Sequence, residues 1–478
     1  MKVVIVNPPS RQRVYGPLSD LAAIEIPVWA GILSEYLRAF EVEILDCEVE
    51  GYSVEESAAA IEALKPDLAV FAIYGQQPSA STQCLPAAEA VASLLTCPTL
   101  ALGTHPSALP EKTFQEGPWT YVARGEGHRT VMGLLRVMTG NGKLRDVKGL
   151  WYQDGANSPA GVSENLDAEL GGRGLRRFDF KRYRAHNWHA FGYPSRSPYA
   201  SVQTSLGCPF RCTFCCINAP FGSSGIRYWS PQNVLWAFRY LAEQGVVHVK
   251  IPDEMFLLNP AHYEPICDGL IELARETGHA FNIWAYARVD TVKPRLLEKL
   301  KQAGFNWLGI GIESGSSHVR DGVEKGRFTE EDIFATVKRV QNAGISVGAN
   351  YIFGLPDDTR ESMQSTLDMA ISLNTEWANF YCAMAYPGSA LHETAKQNGW
   401  VLPEDGPGWS GYSQYSYDCL PLPTAHLTSG EVLAFRDAAF KRYFERPEYL
   451  KFIGSRFGAY AVADVMNMNR TTLERKAA

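Results

Sequence analysis

Gly207-Cys208-Pro209-Phe210-Arg211-Cys212-Thr213-Phe214-Cys215-Cys216 is the stretch that decides how this chain is read. Three cysteines stand in CxxxCxxC spacing directly after Tyr199–Thr204, which reads as a strand. Thiolates on so short a loop can converge on one soft metal centre, and iron–sulfur clusters are held by this kind of ligation. Three ligands are one short of a closed four-iron cluster, which leaves one iron open to a small chelating ligand. A zinc knuckle needs a fourth ligand to close its tetrahedron. Cys216 serves that role poorly, because adjacent residues rarely aim two thiolates at one ion. No His or Cys pair follows at zinc-finger distance.

Working outward, 478 residues leave room for two or three domains with ample core. A chain that is 46% hydrophobic and 20% charged is an ordinary soluble globular protein. Its net charge of −7 gives no support to a polyanionic partner, so nucleic acid is not expected. Met1–Val6 runs into Asn7-Pro8-Pro9 as a buried first strand would, and not as a signal peptide. No apolar run approaches the roughly 18 residues of a membrane span. Ten cysteines without a small secreted scaffold point to a reducing cytoplasm.

Residues 1–140 alternate near-continuous apolar runs (Val3–Val6, Glu43–Asp46, Leu68–Ile73, Thr99–Leu102, Thr120–Ala123) with helix-like stretches at Val28–Phe40, Val54–Leu64 and Leu85–Leu95. That alternation predicts a doubly wound parallel sheet covered on both faces, an α/β fold. Ligands of such sheets sit at the strand carboxyl ends. Those exits are Asn7-Pro8-Pro9-Ser10, Tyr74-Gly75-Gln76-Gln77, Gly103-Thr104-His105-Pro106 and Arg124-Gly125-Glu126-Gly127. Glycines there permit close backbone approach to a large flat ligand. A lone His105 is more often a loop residue than a ligand.

Residues 141–197 read as a linker that holds a hairpin near Leu150–Gly155 and an aromatic-rich stretch at Phe178–Trp188. Residues 198–390 repeat a strand–helix unit six times, which predicts a partial TIM-type barrel, (β/α)6, with its site at the strand carboxyl ends. Those ends carry Asp253-Glu254, Arg288, Glu313-Ser314, Asn350-Tyr351 and Tyr386-Pro387-Gly388. Duller roles exist: Arg288 can pair with Asp290 or Glu313, and Glu313 can cap a helix. Residues 391–478 read as a loop over the barrel with helices at Ser429–Phe444 and Glu448–Phe457, then a frayed tail from Arg470.

The cysteine motif, with aromatic Phe214 before its third cysteine, closely resembles that of the radical S-adenosylmethionine (SAM) superfamily. The resemblance implies that Cys208, Cys212 and Cys215 hold a 4Fe–4S cluster whose open iron is chelated by SAM. One electron from an external flavodoxin- or ferredoxin-like donor would then split SAM and start radical chemistry. Gly311-Ile312-Glu313-Ser314-Gly315 resembles the SAM-contacting motif on the fourth strand. Asp253-Glu254 takes the place where other members carry Gly-Gly-Glu, and Arg288 is placed to meet the SAM carboxylate. Phe214, Tyr351 and Tyr386 complete the expected SAM set.

The first 140 residues resemble the cobalamin-binding domain that precedes many such cores. The resemblance implies that Tyr74, Gly75, Gln76, Gln77, Gly103, Thr104, His105, Glu126 and Gly127 surround cobalamin. The DxHxxG motif that brings a histidine to cobalt is missing, so base-off cobalamin with no protein histidine is expected. Together these imply a cobalamin-dependent radical SAM methyltransferase acting on an unactivated carbon or phosphorus of a small molecule. Cyclisation or rearrangement with the same cofactors is the neighbouring alternative. A methylthiotransferase would need a cysteine after the first strand, where Asn7-Pro8-Pro9 stands. A non-catalytic iron–sulfur carrier would close its cluster with a fourth cysteine and leave the barrel unexplained.

Overall fold

The computed structural model describes residues 1–476 apart from Gln76 and Pro78. The first sheet is built from β1 (Lys2–Asn7), β2 (Glu41–Asp46), β3 (Leu68–Ile73), β4 (Thr99–Gly103) and β5 (Tyr121–Ala123). These five run parallel in the order 2-1-3-4-5. Their apolar runs are buried on both faces: Val3 and Ile5 pack with Leu33 and Leu134, while Val4 and Val6 pack with Ile61 and Leu85. The strand order reverses between β1 and β3, and the crevice of such a sheet opens at that switch point.

The sheet does not stop at residue 140. A hairpin of β6 (Leu150–Tyr152) and β7 (Gly155–Ala156) adds two antiparallel strands beside β5. It belongs to the stretch expected to be linker, and it covers a three-residue edge strand that would otherwise leave its backbone groups unpaired.

After β8 (Tyr199–Ser201), a short antiparallel ribbon of β9 (Ser205–Leu206) and β10 (Arg227–Tyr228) brackets the cysteine loop. Then come β11 (His248–Ile251), β12 (Asn282–Arg288), β13 (Phe305–Glu313), β14 (Ser346–Phe353) and β15 (Trp377–Cys382). Six parallel strands in the order 15-14-13-12-11-8 make an open barrel whose outer strands do not pair with each other.

The end of the expected linker supplies the floor of this barrel. Trp188 meets Trp284 and Trp307 edge-on at 5.2 Å and stacks on Trp377 at 6.0 Å. Its three partners lie in the first halves of their strands, so the indole seals the end opposite the cysteine loop. The aromatics of 178–188 thus serve packing, as an acidic chain suggests.

Among the described residues the carboxyl-terminal region has two α-helices more than expected, Ala390–Gln397 at its start and Ala459–Arg470 after Ser429–Phe444 and Pro447–Phe457. The tail beyond Arg470 is not frayed through residue 476. Arg475 bonds both carboxylate oxygens of Asp437 at 2.9 Å and donates to the Ser416 carbonyl, and Lys476 N–H donates to Tyr417 O. A tail that finds a buried ion pair and backbone partners has no reason to fray.

Candidate functional site

The carboxyl ends of both sheets face one cavity of about 600 Å³. Asn7, Tyr74 and Thr104 border it from the first sheet, and Glu254, Arg288 and Glu313 from the barrel. Cys208, Cys212 and Cys215 border it as well.

The cysteine loop is held by its own backbone. Asn218 accepts the Cys208 N–H at 3.3 Å and donates to Cys208 O at 3.1 Å, and Gly225 N–H donates to the same carbonyl. Thr213 N–H reaches Val323 O at 3.1 Å, which ties the loop to the segment after β13. All ten cysteines are free thiols. Among the described residues no three His, Cys, Asp or Glu side chains converge on a single metal ion, as a tetrahedral zinc requires. In a four-iron cluster each thiolate meets a different iron, and three free thiols around one cavity fit that larger group. Cys216 also borders the cavity and is 3% exposed; burial raises its thiol as it raises those of Cys208 and Cys215.

The expected SAM residues divide by which way their strand turns them. Glu254 borders the cavity with Oε2 lacking a hydrogen-bond partner, and burial pushes its carboxyl up to about 8. Its neighbour Asp253 points the other way and braces the fold, accepting Thr204 N–H, Thr204 Oγ1 and Ser205 Oγ at 2.5–2.8 Å. Glu313 sits at φ +66°, a strained conformation for a non-glycine residue of the kind that functional sites maintain. It bonds Lys325 Nζ at 2.6 Å in a nearly buried ion pair. Gly311 leaves room for that pair, since a Cβ there would stand 2.5 Å from Glu313 Oε1 and 2.7 Å from Lys325 Nζ.

Ser314 is fully buried and bonded to Thr366 Oγ1 at 3.2 Å, outside the cavity lining. Tyr351 is on the wrong face. Gly348, Asn350 and Ile352 border the cavity, so the period-two alternation of β14 sends Tyr351 outward onto Phe380. Asn350, held by Asn379 Nδ2 at 2.9 Å, takes that place inside. Phe214 and Tyr386 border the cavity. Tyr386 accepts from Gln83 Nε2 at 3.0 Å, a hydrogen bond that joins barrel to first sheet. Arg288 is spent on Asp290, with Nε–Oδ1 3.0 Å and Nη2–Oδ2 3.1 Å.

On the sheet side, Tyr74, Gly75, Gln77 and Thr104 border the cavity, while Gln76 lies outside the described residues. Tyr74 stacks on Trp29 at 4.4 Å and donates to Glu126 O, and Gln77 donates to Tyr286 OH across to the barrel. The other expected cobalamin contacts hold the sheet itself together. A Cβ on Gly103 would lie 1.9 Å from Ile73 O, so this glycine serves strand-to-strand approach. Gly127 caps the helix His128–Met138. Glu126 is engaged by Arg227 Nη1 at 2.6 Å and Ser163 N–H at 2.8 Å. His105 is 1% exposed, bonded to Thr82 Oγ1 at 3.1 Å and edge-on to Trp409.

Sequence reasoning missed Lys325, because a single lysine in a loop twelve residues past the motif glutamate has no spacing that marks it. It also missed Glu48, which borders the cavity while accepting the Ser10 and Arg11 N–H groups.

Residues 202–370 match the model of the radical SAM superfamily. The chain carries a radical SAM domain. Over 468 residues it is 26% identical to an uncharacterized methyltransferase of Pyrococcus horikoshii, covering 94% of each chain. It is 24% identical to the anaerobic magnesium-protoporphyrin IX monomethyl ester cyclase of Cereibacter sphaeroides, covering 93% of this chain and 70% of that one. The fold is shared with the radical SAM methyltransferase TsrM of Kitasatospora setae, solved with cobalamin and a 4Fe–4S cluster, at TM-score 0.67 and 17% identity over 98% of this chain and 99% of that one. Among the described residues no helix is long and apolar enough to cross a membrane.

Proposed function

We propose that this radical SAM protein is a cobalamin-dependent methyltransferase acting on an unactivated carbon or phosphorus of a small molecule. The carrying observation is the single cavity on which the cysteine loop, the barrel mouth and the switch point of the first sheet all open. When bound, the cluster supplies the electron that splits SAM, and cobalamin supplies a carrier for the methyl group. The chain's own residues do the placing. Cys208, Cys212 and Cys215 hold the cluster and leave one iron open.

Lys325 Nζ is the cation we assign to the SAM carboxylate. Glu313 orients it, and Gly311 leaves it room. Glu254, with an unpartnered oxygen beside the same cavity, receives the SAM amino group. Tyr74, Gly75, Gln77 and Thr104 form the wall toward cobalamin. His105 is held away by Thr82 and Trp409, and among the described residues the cavity-bordering histidine, His186, accepts Ala23 N–H and stacks on Trp188 of the barrel floor. These placements support cobalamin bound without a protein histidine on cobalt. The electron comes from an external flavodoxin- or ferredoxin-like donor.

The likeness to a cyclase keeps cyclisation or rearrangement as a second reading. Anaerobic reconstitution with iron, sulfide and hydroxocobalamin, then incubation with methyl-labelled SAM and reductant, separates the two once substrate is added. Methyl transfer requires S-adenosylhomocysteine to accumulate beside 5′-deoxyadenosine. Deoxyadenosine without S-adenosylhomocysteine, with the label recovered only in methionine and none in product, would establish the second reading.

A further inference from the structure

We propose that Arg288 is a positioning residue for the iron–sulfur cluster, which it tunes through the Cys212 thiolate, and not a ligand of SAM. The inference rests on the cluster assignment above. Arg288 ends β12 and is 4% exposed, so its guanidinium is locked in one place. Nε and Nη2 hold the Asp290 carboxylate, and Nη2 also donates to Lys325 O. Nη1 points at Cys212 Sγ, 3.8 Å away. The flat face of the guanidinium covers the ring of Phe210 at 3.8 Å, a cation–π contact. The residue thus clasps the cysteine loop at Phe210 and Cys212, and the segment after β13 at Lys325. Cys212 Sγ itself reaches Glu324 O in that segment at 3.6 Å.

A guanidinium has five N–H donors and a fixed planar fork. Here the fork is committed to a carboxylate, a carbonyl and a sulfur before any ligand arrives. Swinging it toward SAM would leave Asp290 and the Lys325 carbonyl without their cation. Lys325 Nζ, in contrast, is already turned to the cavity side of Gly311.

A cation that donates to a cluster thiolate favours the state with one more negative charge. Hydrogen bonds to the sulfurs and net charge are among the factors that set the potential of such clusters. The step affected is one-electron reduction of the cluster by the external donor. No bond forms at Arg288, which keeps its protons throughout.

The test uses the full chain reconstituted with iron and sulfide, and follows the reduced-cluster paramagnetic signal during a redox titration. Arg288→Gln should lower the midpoint so that the reduced fraction at a fixed potential falls about tenfold, about 59 mV for a one-electron couple. Arg288→Lys keeps the charge without the fork and should fall between. Asp290→Asn loosens the fork and should shift the midpoint least. SAM affinity by equilibrium dialysis should change less than threefold in Arg288→Gln while dropping at least tenfold in Lys325→Ala. An unchanged midpoint in a fully iron-loaded Arg288 variant overturns the proposal, as does a tenfold loss of SAM affinity at unchanged midpoint. If the glutamine variant loads no iron, the lysine and Asp290 variants decide by the same criteria. Wild-type protein that binds no iron would instead sink the cluster assignment itself.

Discussion

The two halves of the cavity wall are built on different rules. On the barrel side, polar residues at strand ends reach the cavity, and a misassignment is an error of one position: Tyr351 for Asn350, Asp253 beside Glu254. On the sheet side the marked residues divide: Gly103, His105, Glu126 and Gly127 are spent on packing and bracing, while Tyr74, Gly75, Gln77 and Thr104 border the cavity together with the unmarked Asn7. The curved, partly closed barrel turns alternate side chains inward. An open sheet leaves its loops free to spend glycines and polar groups on their own packing.

The largest effects should come from the barrel side. Cys208→Ala, Cys212→Ala and Cys215→Ala should each abolish cluster binding and SAM cleavage, while Cys216→Ala leaves iron content near the wild-type value. Iron analysis after anaerobic reconstitution checks this, and full loading of any of the first three would break the assignment. Next in size, Lys325→Ala should weaken SAM binding about tenfold to hundredfold, the about 1.5–3 kcal/mol of a hydrogen bond to a charged group. The same loss in Glu313→Gln would show that the pair acts as a unit, and unaltered SAM affinity in both would return Lys325 to a structural role.

How far the chain was legible follows the same division. Near-continuous apolar strands at Val3–Val6 and Leu68–Ile73, and amphipathic helices such as Val54–Leu64 and Arg360–Leu373, announce themselves by periodicity, so both sheets could be drawn from the sequence. The cluster loop was legible because its chemistry demands a fixed spacing. The hairpin at Leu150–Ala156 was visible as a hairpin, but its docking on β5 was not, since two short strands do not declare their partner. Lys325 and Glu48 stayed hidden because their positions depend on how loops return to the site. The pinned tail was missed because Arg475 looks like any terminal arginine until Asp437 is placed opposite it.

On the sheet side the first prediction is about stability. Gly103→Ala would push a Cβ into Ile73 O, so the melting temperature should drop, by the about 1–3 kcal/mol or more that overpacking costs. The cobalamin bound per folded molecule should stay unchanged. Thr104→Trp, at a cavity-lining residue that is itself buried, should also cost stability but, unlike Gly103→Ala, should block cobalamin. Matching behaviour of the two variants in cobalamin titration would erase the distinction between packing and wall residues.

The smallest effect at neutral pH should come from His105, and its distinctive signature should lie in acid. Burial holds this imidazole neutral, with its pKa pushed down to about 3. The same side chain in the unfolded chain takes a proton at about 6.5. Between pH 6.5 and about 3 the unfolded state therefore binds more protons, so His105 makes the fold lose stability as pH falls through that window and contributes nothing to pH dependence above it. His105→Gln should flatten this acid limb in urea unfolding of the apo chain, while neutral-pH stability falls by about 1 kcal/mol from the altered bond to Thr82. Because the ring faces Thr82 and Trp409, the paramagnetic spectrum of bound cob(II)alamin should not change at all. Nitrogen splitting from a protein imidazole that disappears in His105→Gln would put this residue on cobalt. It would make the sheet-side motif as direct a guide as the cysteine loop.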